Sequence, residues 1–167
     1  MTTIAYTNRV LACDSCYAAS DVVYTRRPKI QRLSSGGLIG FSGDADARTC
    51  AELFDKVKTE RQLPTRRQIL DMQFDADALF IMPNGRIFNV ECGYNEGHWE
   101  GGLYEWGERF AATGSGGKFA LVAMECGKTA VEAVHMACRR DINSCPPVHQ
   151  LSLIVDAKRK AAPSRKR

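Results

Sequence analysis

Two β-rich runs open the chain, residues 2–8 and 10–16, with only Arg9 between them, and predict a hairpin turning near Asn8-Arg9. A polar connection over residues 17–28 follows. Residues 29–33 and 38–42 predict two short strands around Ser34-Ser35-Gly36-Gly37, a turn by composition. Asp44 stands where a helix N-cap belongs, and Ala47, Cys50, Ala51, Phe54 and Val57 then share one helical face, which predicts a helix over 45–59. Pro64-Thr65 starts a shorter helical piece. Residues 78–82 and 86–90 flank Pro83-Asn84-Gly85 and predict a second hairpin. Residues 91–109, rich in glycine and aromatics and holding Trp99 and Trp106, are read as a long loop. Helices are predicted over 119–125 and 130–139, divided by Gly127 with Thr129 as a cap, and a last strand over 148–155. Strands and helices come in runs rather than alternating strictly, which argues for a layered α+β domain with antiparallel sheets.

The length of 167 residues suits one domain, taken as residues 1–156, followed by a basic, disordered tail over 157–167. That tail changes the meaning of the charge. It holds six Lys/Arg and no acid, so removing it turns the formal +4 into −2 for the body. The body is therefore not a basic nucleic-acid surface; only the tail would hold an anionic partner. No apolar run approaches the roughly 20 residues of a membrane span, and no signal-peptide pattern is read, so a cytoplasmic protein without membrane attachment is expected. Seven scattered cysteines fit buried thiols better than a disulfide framework.

The metal and phosphate signatures do not close. Cys13-Asp14-Ser15-Cys16 is a CxxC within a predicted strand, where an offset of three sends the sulfurs to opposite faces, and no second pair follows. His98-Trp99-Glu100 is half of a zinc deaminase signature whose PCxxC half is missing. His135 and His149 lack a ligand-spaced partner. Thr113-Gly114-Ser115-Gly116-Gly117-Lys118 departs from a phosphate loop at Ala112 and Phe119, leaving a glycine turn from which Ser115 projects. No cofactor or metal is expected. Three charged residues stand out in apolar or turn contexts: Asp14, Lys29 and Asp141. A charge near a core needs a partner, and an Asp14–Lys29 pair is the simplest. The small Thr2 permits cytosolic removal of Met1. An exposed Thr2 would carry a hydroxyl nucleophile beside an α-amine of pKa near ~8 that can serve as its base.

In this order the segments resemble the proteasome β-subunit and HslV peptidases, threonine-type N-terminal-nucleophile hydrolases. Thr2-Thr3-Ile4 resembles the family's mature N-terminus. The segment from Val10 to Ser15 resembles its second strand, ending in the acid that pairs with the catalytic lysine, and the segment from Lys29 to Leu33 resembles the strand bearing that lysine. The stretch from Ile39 to Ala47 resembles the HslV glycine turn, shorter by one residue. The turn at Ser115 and Arg140-Asp141-Ile142-Asn143-Ser144 resemble the serine turn beside the nucleophile and its support.

The resemblance implies a four-layer α/β/β/α sandwich and peptide-bond hydrolysis. Thr2 would be the nucleophile, Lys29 paired to Asp14 its activator, and the Gly43 N–H the oxyanion donor. Asp141 and Ser144 would position Ser115. Tyr17, Arg27, Phe41 and Ala45 would line a specificity pocket suited to large apolar or acidic side chains. It also implies a homo-oligomeric ring that encloses the sites and receives unfolded polypeptides from an ATPase. The predicted helix with Phe54 and Val57, the helix over 119–124 and the aromatics Trp99, Tyr104 and Trp106 are candidate ring contacts. Two other functional classes stay open: a catalytically silent subunit of the same fold that retains Met1, and a binder of anionic partners through the tail.

Overall fold

The computed structural model describes residues 2–19, 22–25, 28–43, 48–73 and 75–154. Arg27, Ala45, the Asp44 cap and the basic tail lie outside the described residues. Strands β1 (Ile4–Thr7), β2 (Val10–Cys13), β10 (Phe110–Thr113) and β11 (His149–Ser152) form one antiparallel sheet in the order β10-β1-β2-β11. A second antiparallel sheet runs β5 (Ile30–Arg32), β6 (Leu38–Gly43), β7 (Ala76–Ile81), β8 (Ile87–Asn95) and β9 (His98–Trp106). Helices α3 (Gly117–Glu125) and α4 (Ala130–Ala137) cover the first sheet. Helices α1 (Arg48–Phe54) and α2 (Arg66–Leu70), joined by a single 3-10 turn, cover the second. The result is the expected α/β/β/α sandwich.

Period-two alternation sorts each strand between layers. On β1, Ile4 and Tyr6 enter the core between the sheets with Leu11, Leu79 and Ile81, while Ala5 joins Ala12 and Ala112 beneath α3 and α4. Alanine on that face brings the helices close. Gly40 of β6 allows a similar approach between the sheets, since a Cβ there would stand 2.9 Å from the Ile4 Cγ2. The first hairpin turns at Asn8 and Arg9, both with positive φ (49° and 65°), as a tight primed turn requires. Thr65 and Thr129 cap α2 and α4 through reciprocal contacts with Gln68 and Glu132.

Four expectations change. Residues 91–109 are mostly strand: β8 and β9 make a long hairpin turning at Glu96-Gly97. The glycines that suggested a loop instead permit close strand packing, for a Cβ on Gly101 would sit within 2.1 Å of the Glu91 carbonyl oxygen. The connection over 17–28 contains a separate hairpin, β3 (Cys16–Ala19) with β4 (Val22–Thr25). Cys13 ends β2 and Cys16 begins β3, so the CxxC does not lie in one strand. Phe54 and Val57 are not a contact patch, because both pack into the core between α1 and the second sheet. Trp99 and Trp106 also pack partly against the cores, while Tyr104 is exposed.

Phe54 is fully buried with its ring 4.6 Å from that of Phe80. Phe54→Ala should therefore lower unfolding stability by about 3–5 kcal/mol in a urea titration. A surface contact residue would change it by less than about 0.5 kcal/mol.

Candidate active site

The site forms where β1 begins. Asp14 leaves the end of β2 and is wholly buried, and its carboxylate accepts four hydrogen bonds. Oδ1 takes the Thr3 N–H (2.8 Å) and the Lys29 ammonium (3.0 Å), and Oδ2 takes the N–H groups of Cys16 (2.8 Å) and Cys145 (3.2 Å). The Asp14 N–H in turn donates to the Thr3 carbonyl (3.1 Å). Lys29 enters from just before β5 with its side chain only 4% exposed. Its Nζ lies 2.7 Å from the Thr2 Oγ1 and 5.0 Å from the centre of the Tyr17 ring. A buried ammonium aimed at a hydroxyl oxygen favours the alkoxide form of that oxygen.

A second network reaches Thr2 from the helical layer. The Thr2 N–H donates to Ser115 Oγ at 3.3 Å. Ser115 Oγ and Ser144 Oγ each lie 2.7 Å from Asp141 Oδ2, and Asp141 Oδ1 accepts the Asn143 N–H at 3.1 Å. Burial works against the charged Asp141 carboxyl, but the hydrogen bonds from Ser115, Ser144 and Asn143 outweigh it and hold its pKa below the ordinary 3.8. Gly114 turns the chain with φ +85°, and a Cβ there would stand 2.3 Å from the Thr2 carbonyl oxygen and 2.9 Å from the Ser42 Oγ. The Gly116 N–H reaches the same Thr2 carbonyl at 3.3 Å.

Six of the expected residues thus converge: Thr2, Asp14, Lys29, Ser115, Asp141 and Ser144. Tyr17 stands beside Lys29. Gly43 closes β6, is exposed and has φ 120°, one residue beyond the Ser42 that faces Gly114. Phe41 packs against the core on the helical side of its sheet. Thr3 received no separate role from sequence reasoning, yet its Oγ1 lies 2.6 Å from Ser144 Oγ in full burial. The signal was the doubled threonine itself, because alternation sends consecutive side chains to opposite faces. Ser42, Gly114 and Gly116 carried no comparable signal, since their importance is a matter of which backbone approaches them.

The ligand atoms of Asp14, Cys16 and Cys145 lie within 4.8 Å of one another, but all four donors on Asp14 would compete with a metal for its oxygens. Burial pushes the Cys145 thiol up to about 11, with Cys16 beside it adding to the effect, and burial pushes Cys13 up to about 12. Those two thiols stay protonated at neutral pH, the form in which a cysteine is a poor nucleophile. His98 and Glu100 are exposed on β9, 3.9 Å apart.

The sandwich has the proteasome-like N-terminal-nucleophile fold, as two solved structures show. Eukaryotic HslV from Trypanosoma brucei shares the fold with a TM-score of 0.62 at 16% identity, over 90% of this chain and 98% of its own. BPH from Thiobacillus denitrificans does so with a TM-score of 0.61 at 19% identity, over 93% of this chain and 99% of its own. No protein-family model and no curated protein matches the chain. At these identities the likeness establishes the fold.

Asp141 supplies a pH test. Its folded pKa is depressed, so its contribution to stability is complete above the ordinary carboxylate value and is lost as pH falls through the lower folded value. The stability gap between the native protein and Asp141→Asn should therefore shrink from about pH 5 to about pH 2 in denaturant titrations.

Proposed function

We propose that the protein is a threonine-type endopeptidase whose nucleophile is Thr2, freed by removal of Met1. The observation that carries this reading is the Lys29 ammonium, 2.7 Å from Thr2 Oγ1 and anchored on the buried Asp14. A buried ion pair is costly to desolvate, and a structural role alone does not require its cation to point at a hydroxyl. While Met1 remains, the Thr2 nitrogen is an amide and no base. Once free, the amine takes the Thr2 hydroxyl proton as Oγ bonds to the scissile carbonyl carbon. Lys29 stabilises the developing negative charge on Oγ. Gly43 N–H donates to the carbonyl oxyanion, a kind of contact worth roughly 3 kcal/mol of barrier. The protonated amine gives its proton to the leaving nitrogen, and water then hydrolyses the ester.

Tyr17, Arg27, Phe41 and Ala45 are proposed to shape substrate choice. Unfolded polypeptides delivered by an ATPase are the proposed substrates, and a homo-oligomeric ring the proposed assembly. Exposed apolar side chains support a ring, namely Val122 on α3, Met136 on α4 and Tyr94 and Tyr104 on the β8–β9 hairpin. Closed rotational symmetry buries such groups with one repeated contact. No helix among the described residues is long and apolar enough to cross a membrane, and cytoplasmic residence is part of the proposal.

The test combines intact mass, particle size and hydrolysis of an unfolded protein. The active species should be lighter by one methionine and should sediment as a large particle. Thr2→Ala should lose hydrolysis while keeping fold and assembly. Lys29→Arg should not restore what Lys29→Ala loses, because the planar guanidinium places its charge elsewhere. Hydrolysis at the native rate by Thr2→Ala would refute the reading.

A further inference from the structure

Proton counting sets the directions of the hydrogen bonds that converge on Asp141. Asp141 is ionised and accepts from both serines through one oxygen, Oδ2. Each serine has one proton. Ser115 Oγ also lies 3.3 Å from the Thr2 carbonyl oxygen, but the charged carboxylate at 2.7 Å is the stronger acceptor, and each serine spends its proton on Asp141. Ser144 Oγ is left an acceptor, so at the 2.6 Å contact the donor is the Thr3 hydroxyl. Ser115 Oγ is likewise left an acceptor, and its donor is the Thr2 nitrogen. The network runs inward from both ends to one carboxylate.

Thr3 belongs to both halves of the site. Its N–H and carbonyl are held by Asp14, the anchor of Lys29, and its hydroxyl enters the Asp141 network. The contact needs a missing side chain as well. A Cβ on Gly116 would fall 1.9 Å from Thr3 Oγ1 and 3.0 Å from Ser144 Oγ, while Gly116 has an ordinary φ of −87°. Its glycine is thus demanded by space, not by backbone conformation.

We infer that Thr3 is a positioning residue for the nucleophile: its hydroxyl, admitted by Gly116, orients the network that aims the Thr2 amine. With the Ser115 proton committed to Asp141, a neutral amine spends one N–H on Ser115 Oγ, leaving the lone pair for its own hydroxyl. This rests on the peptidase reading and adds to it a residue that touches neither the substrate nor the reacting atoms. Removing the Thr3 hydroxyl makes Ser144 a weaker donor to Asp141, because hydrogen bonds in a chain polarise one another. Asp141 then draws harder on the Ser115 proton, and Ser115 Oγ becomes a better acceptor. A better acceptor favours the charged amine, which cannot act as base.

The experiment compares Thr3→Val, Thr3→Ser and Gly116→Ala with the native protein and Thr2→Ala. Hydrolysis is followed across pH, with thermal unfolding as a control. Thr3→Ser should keep native kcat. Thr3→Val and Gly116→Ala should lose about 10- to 100-fold in kcat with KM little changed, and their acid limbs should move to higher pH. The amine itself provides a readout apart from turnover: its rate of acylation by a small electrophile, followed by mass, should need higher pH in Thr3→Val. Native kcat and pH profile in Thr3→Val, with Thr2→Ala dead, would overturn this inference and leave the peptidase reading standing. An active Thr2→Ala would remove both. Should Thr3→Val not fold, native kcat in Gly116→Ala is the overturning result.

Discussion

One buried carboxylate organises this protein. Asp14 is wholly excluded from solvent and accepts from Lys29, Thr3, Cys16 and Cys145. Those donors come from the start of β1, the start of β3, the segment before β5 and the chain leading to β11. An ionised carboxylate in a core is tolerable only when its lone pairs are filled. Filling them fixes four distant stretches of chain relative to one another. Removing one partner of such a pair costs about 3–5 kcal/mol, so the geometry around Thr2 is held by the same interaction that makes the burial possible.

The position of Thr2 follows from strand geometry. β1 lies between β10 and β2 in its sheet, and its sheet lies between the second sheet and the helices. Consecutive residues at its start therefore face different layers. Thr2 meets Lys29 on the inter-sheet side, and Thr3 meets Ser144 near the helices. Two threonines thereby join two hydrogen-bond systems that share no side chain. The glycines at 114 and 116 let the serine turn approach that strand start more closely than any side chain would allow.

The elements far from the site have simpler duties. Phe54, Phe80 and Phe88 form the body of the outer core and support the second sheet, whose β6 brings Ser42 toward the serine turn at Gly114. The β8–β9 hairpin extends that sheet and leaves Tyr94 and Tyr104 exposed. That aromatic surface is what the proposed assembly would bury.

The amino-acid sequence by itself determined the layered α+β architecture, most strand positions, the start of the short helix at Pro64-Thr65 and the cap at Thr129, and it singled out the residues that meet around Thr2. Local pattern and short motifs carry that information, since alternation, turn residues and charges in apolar surroundings are all visible over a few residues. The strands over 91–109 were not legible, because glycine lowers local strand preference and only the cross-strand neighbour explains Gly101. The same holds for Phe54 and Val57: a helical face is apolar whether it meets a core or another subunit, and only the packing of α1 shows which. The roles of Thr3 and Gly116 were likewise decided by tertiary structure. A contact between residues 3 and 144, opened by the absence of a side chain at 116, is a relation in space between segments far apart along the chain.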